Sequence, residues 1–193
     1  MKTPLNSSLT CLALLAVTPV LLTQACGSKS SGKGSDAPPA SADLTGSWQV
    51  PCQVSEMFGE PTVYGTSVTE FSTDRITSTD HYYADENCTE DLFVNITTAK
   101  IVSSKKTTKT DYELSLQITA DRITVTSQES TFQMIDDNEF CYFAPGEYSL
   151  NTEYQCSDLA SMVIPVTLRQ EGDTLSFFDE DTGTFGNQAT RRP

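Results

Sequence analysis

From Leu44 onward apolar and polar residues alternate with a period of two, and no run of ten or more residues repeats its apolar positions at helical spacing. The pattern predicts strands over 44–52, 62–71, 75–83, 91–103, 111–119, 122–134, 162–170 and 174–179. Thr, Val, Ile, Tyr and Phe dominate these runs, as suits a pleated, half-buried surface. The connections carry turn chemistry: STD at 72–74, AD at 120–121 and QEGD at 170–173, where Gly172 can take a positive φ. SSKKTTKT at 103–110 reads as a solvated hairpin end, and 136–161 as a long irregular excursion. Eight strands in succession predict an all-β fold, an antiparallel up-and-down β-barrel of about eight strands.

Alternation also assigns faces. Leu114, Leu116 and Ile118 share one face of their strand, and Met162, Ile164, Val166 and Leu168 share one face of theirs. Pro165 falls on the opposite parity and has no N–H for a ladder, so it marks an edge, a bulge or a seam. The barrel is then closed, or incompletely closed at that strand.

The N-terminus bears on location. LTCLALLAVTPVLL at 9–22 is a short apolar run broken by Pro19, too brief for a membrane span, and it ends in LTQAC. Ala25 before Cys26 is similar to the lipobox of bacterial lipoproteins, which implies cleavage after residue 25 and lipidation of Cys26, typically with palmitate among the acyl chains. Residues 26–43 are rich in Gly, Ser and Pro and read as a flexible tether. Gly27 stands where the lipoproteins it resembles would carry an inner-membrane retention aspartate, so the outer membrane is the expected location. Residues 44–193, about 150, make a single domain.

Six cysteines divide by compartment. Cys11 leaves with the signal, Cys26 takes the lipid, and Cys52, Cys88, Cys141 and Cys156 remain in an oxidising space. Four cysteines allow three connectivities. In the meander, the strand ending at Cys52 and the one delivering the chain toward Cys88 reach the same barrel end. Three more strands would carry the chain to the other end, where Cys141 and Cys156 share one excursion. The expected pairs are therefore Cys52 with Cys88 and Cys141 with Cys156.

The order LTGSWQVPC at 44–52, HYYADENCTEDLF at 81–93, EGDTLSFFDEDTG at 171–183 and a terminal RRP resembles a group of bacterial secreted and lipoprotein domains of calycin or lipocalin-like type. The Gly-x-Trp with YY-x-D-x-x-C also resembles, more weakly, the domain of the adenomatosis-polyposis-coli-down-regulated protein, whose barrel holds an acyl chain. The resemblance implies that Gly46 permits close backbone approach, that Trp48 plugs one barrel end, and that Arg191 or Arg192 packs over the indole, with Arg169 a substitute in another register.

A formal charge of −14 and the lack of a basic stripe exclude nucleic acid as a partner. His81, the single histidine, falls opposite Asp80 and Tyr82 by alternation and reads as a barrel-wall or solvated residue. There is no nucleophile elbow, phosphate loop, HExxH or CxxC, so neither an enzyme, a metal nor a cofactor is expected. Two functions stay open for what is read as a monomer. One is a barrel binding a small apolar or amphipathic ligand on Trp48, Leu114, Leu116, Ile164 and Val166, with Met57 and Phe58 as a lid over the mouth. The other is a structural or protein-interaction lipoprotein with a side-chain-filled barrel.

Overall fold

Eight strands close into a ring because each has one apolar face to bury and two edges to pair. The computed structural model describes residues 43–55, 62–128, 130–137, 141, 149–156, 162–179 and 182–193. Its elements are β1 (Gly46–Ser55), β2 (Val63–Phe71), β3 (Arg75–Tyr83), β4 (Asp91–Lys106), β5 (Asp111–Val125), α1 (Ser130–Asp137), β6 (Glu153–Gln155), β7 (Val163–Glu171), β8 (Thr174–Asp179) and β9 (Thr184–Arg191). The ring runs β1-β2-β3-β4-β5-β7-β8-β9 and returns to β1, antiparallel throughout, while β6 pairs with the second half of β5. This is a closed, up-and-down, eight-stranded β-barrel.

The eight strands of the ring agree in number with expectation, but the set of strands differs. The expected strands at 111–119 and 122–134 are largely one element, β5, and 120–121 is no turn. Thr98 pairs with Ala120 and Ala99 with Ile118, so Thr119 is the extra residue of a bulge, its hydroxyl donating to Thr98 O at 3.1 Å. The bulge shifts the parity, placing Ile118 and Asp121 both inside; Asp121 is polar because of what it meets there. Residues 130–134 lie in α1, whose Phe132 and Ile135 are buried at helical spacing. Eight residues are too few for a helical period to stand out beside strands. At the other end of the sequence β9 supplies the missing wall, although its Gly, Asn and Thr content conceals it.

Merging two strands into one reverses the later geometry. β5 returns the chain to the end where Cys88 sits, so both disulfides, Cys52–Cys88 and Cys141–Cys156, lie at that end rather than at opposite ends. The pairings are those expected.

The other end is closed by Trp48, which is fully buried. Its indole N–H donates to Leu44 O at 2.9 Å, and the Arg191 guanidinium lies 4.4 Å from the ring centroid. Arg191 also donates to Thr45 O at 3.0 Å and to Asp43 O, while the Asp43 carboxylate takes Lys106 Nζ at 2.8 Å and the Tyr112 hydroxyl at 2.9 Å. Arg169 instead holds Asp111 at 2.7 Å and stacks on Phe185 at 4.0 Å.

The proline at 165 does mark a seam. The Ile118 N–H donates to Met162 O and the Gln170 N–H to Thr110 O, so the even positions of β7 hold the hydrogen bonds to β5. Pro165 therefore turns its nitrogen to the β8 side, where the ladder covers only Leu168–Glu171. On the far side of the β8–β9 ribbon, β9 pairs with β1 only at Trp48 and Gln49, just before Pro51 and the bulge between Val50 and Gln53. The barrel is closed, with its ladders thinning beside both prolines.

Two stability measurements check this picture. Gly46 sits at φ 131°, and a Cβ there would lie 3.3 Å from Arg191 Nη1, whereas a Cβ at Gly183 meets open space. Gly46→Ala is expected to cost about 2–3 kcal/mol in urea unfolding and Gly183→Ala about 1 kcal/mol. Replacing Cys52 and Cys88 together by Ser removes a loop closed over 36 residues, against 15 for Cys141 and Cys156. The expected losses are about 4 and about 3 kcal/mol, a ranking that equilibrium unfolding of the two double variants would test.

Candidate functional site

Inward-facing side chains form three layers along the barrel axis. The first, above the Trp48 plug, is apolar and includes Leu114, Leu116, Ile118, Ile164, Val166 and Leu168. All five described residues expected to line a ligand, Trp48, Leu114, Leu116, Ile164 and Val166, are in this layer and are less than 8% exposed. They are packed on one another as core. Met57 and Phe58 of the expected lid, and the lipidation residue Cys26, lie outside the described residues.

The second layer is polar. Ser67 and Thr69 of β2, Ser78 and Asp80 of β3, Asn95 and Thr97 of β4, and Asp121 of β5 are all buried. Ser78 Oγ donates to the Asp80 carboxylate at 3.2 Å and lies 3.2 Å from Ser67 Oγ and 3.4 Å from Thr69 Oγ1. Asn95 Nδ2 and Thr97 Oγ1 donate to Asp121 Oδ1 at 2.8 and 2.9 Å. No lysine, arginine or histidine is buried among the described residues; His81, Lys100 and Arg122 stand on the outward parity. Two carboxyls are thus held inside by neutral donors alone.

Burial pushes the Asp80 carboxyl up to about 6, against the lowering effect of Ser67 and Ser78 and with a further upward push from Asp121. Burial also raises Asp121, opposed by Asn95 and Thr97. Reading these residues from sequence required combining neighbouring strands: Ser67, Ser78, Asp80, Asn95 and Thr97 occupy the parity of Phe71, Ile76, Tyr82, Phe93 and Ala99. Polar residues at core parity on three successive strands are the available signal. For Asp121 the bulge removed it.

The third layer is apolar again and covers the disulfide end. Val63, Tyr82, Phe93, Ile123 and Val125 from the barrel meet Phe132 and Ile135 of α1, with Cys141 and Cys156. Tyr82 and Phe93 stack at 4.4 Å, and Phe132 meets Tyr154 edge-on at 6.0 Å. Residues of the 136–161 excursion thus belong to a cap built from α1 and β6. The cap is fastened through Asp121, whose carbonyl accepts the Cys156 N–H at 2.9 Å and Gln155 Nε2 at 2.7 Å.

Asp85, the aspartate of the YY-x-D-x-x-C stretch, has a local structural task. It accepts from the backbone of Glu90 at 2.7 Å, Thr89 at 2.8 Å and Asn87 at 3.2 Å, bonds that hold its carboxyl down to about 2. The turn so formed presents Cys88 at φ 52° to Cys52.

Among the described residues, no group of three or more His, Cys, Asp or Glu side chains is placed to hold a metal ion. No protein-family model and no curated protein matches the chain.

The pH dependence of stability follows from Asp80. In the unfolded chain its carboxyl ionises near 3.8, in the barrel near 6. The unfolded state therefore releases its proton first, and the barrel loses stability as pH rises from about 4 to about 6. The loss is about 3 kcal/mol and is complete above the folded value. Asp80→Asn is expected to abolish most of that slope while leaving stability at pH 3 nearly unchanged. Urea titrations of both proteins at several pH values would show this, and parallel profiles would refute it.

Proposed function

We propose that the mature protein is a lipoprotein of the bacterial envelope, anchored through Cys26 in the outer membrane, whose barrel acts as a solid, non-enzymatic interaction module. The observation that carries this reading is the filling of the interior. From Trp48 through the polar layer to Phe132 and Ile135, inward side chains are buried against one another. A ligand on Leu114, Leu116, Ile164 and Val166 would have to displace that packing, at a few kcal/mol for each large side chain moved. A rigid scaffold with two disulfides at one end instead presents fixed outer faces.

The ligand-binding reading draws support from one observation, the polar layer. Burying Asp80 and Asp121 without a cation costs stability, and a plain scaffold gains nothing from it. On that reading an amphipathic molecule places its polar group at this layer beneath the cap.

Native mass spectrometry of the protein purified from its own host separates the two. The module predicts the mass of residues 26–193 plus acyl groups on Cys26, and no further adduct. An additional non-covalent small molecule of defined mass would overturn it in favour of ligand binding. Cys26→Ser is expected to lose the acyl mass and to move the protein from the membrane to the soluble fraction.

A further inference from the structure

Asp121 belongs to two structures at once. Its side chain lies in the buried polar layer, and its carbonyl is where the cap is fastened, through Cys156 N–H and Gln155 Nε2. The adjoining residues Arg122, Ile123 and Thr124 form the whole ladder to β6. The other fastenings on β5 are the Asn151 N–H to Val125 O at 2.8 Å and the exposed Arg122–Glu153 pair at 3.4 Å. Because Cys141 is bonded to Cys156, β6 and the chain following α1 are tied together.

We propose that the Asp80–Asp121 layer is a proton-operated latch for this cap, seated while the carboxyls are protonated and released when they ionise. The groups that face the pair decide the direction. Asp80 meets Ser67 and Ser78, and Thr69 through Ser78, and feels Asp121 from the strand on the far side of β4; Asp121 meets Asn95 and Thr97. The neighbouring layers contribute the phenols of Tyr82, Tyr112 and Tyr154, and otherwise apolar side chains and the Cys141–Cys156 bridge. No lysine, arginine or histidine among the described residues turns into this layer; Arg122, whose Nε is enclosed, stands on the outward parity and pairs with Glu153. Two ionised carboxylates repel and require water, and the polar layer is sealed from it at one end by the Trp48 layer and at the other by the cap. The cap is the weaker seal, because β6 is paired on one edge only, through a three-residue ladder, whereas Trp48 belongs to a wall strand paired on both sides. Release exposes the apolar face made by Phe132 and Ile135, a surface unavailable in the seated state.

Amide hydrogen exchange on the full, oxidised chain tests the latch. Rates at pH 4.5 and pH 7.5, each corrected for the intrinsic chemical rate, would be compared at Asn151 and Cys156 of the cap and at Ile101 and Arg192 at the opposite end. The latch predicts protection at the cap amides at least about tenfold lower at pH 7.5, and there well below that of Ile101 and Arg192, whose exchange reports opening of the barrel itself. It also predicts that Asp121→Asn and Asp80→Asn each remove most of this difference; either variant suffices if the other does not fold. Cap protection independent of pH would overturn the latch. So would cap and barrel amides equally protected at pH 7.5, which is global unfolding, or variants that keep the wild-type pH difference.

Discussion

The fold depends on a closure made over two residue pairs. Trp48 faces Arg191 and Gln49 faces Thr190, and with that short ladder β9 completes a ring that would otherwise be an open sheet with two exposed edges. So brief a ladder holds because the side chains around it are unusually well engaged. The indole fills the barrel end and bonds Leu44, the guanidinium covers the indole, and the same guanidinium binds the carbonyls of Asp43 and Thr45 just ahead of the strand it closes against. Gly46 is part of this arrangement, since a larger residue would press on Arg191.

From that closed end the interior changes character in layers, and each layer limits what the next can be. Apolar packing above Trp48 excludes water from below. The polar layer then has to satisfy itself, which it does with hydroxyl and amide donors drawn from adjacent strands. The apolar cap seals it from above and is held by hydrogen bonds to the backbone of one of the residues it seals. Stability and proton binding are consequently linked through the same few residues.

Where each side chain meets its neighbours on its own strand, the sequence was readable. The parity of Leu114, Leu116, Ile164, Val166 and Leu168, the turn at Gly172 and the seam at Pro165 all follow from alternation and backbone chemistry within one segment. Where long-range pairing decides, it was not. Thr119 is accommodated as a bulge only because β4 runs past it, and the Ala120-Asp121 pair therefore imitated a turn. The residues of β9 have little strand character and are ordered by β8 and β1 on either side. The interior polar layer required several strands to be placed side by side before its shared parity could be seen. The disulfide pairing was legible although the end assigned to one bridge was not, because two cysteines 15 residues apart in a single excursion remain close wherever the excursion lies.

The chain enters the barrel at its plugged end. Asp43, the first described residue, lies against Arg191 and Lys106, while both disulfides are at the opposite pole. Any load applied from the N-terminal side of Asp43 is therefore delivered first to the Trp48–Arg191 closure, and the covalently reinforced pole lies farthest from it. Mechanical load and covalent reinforcement are segregated to opposite poles of one small domain.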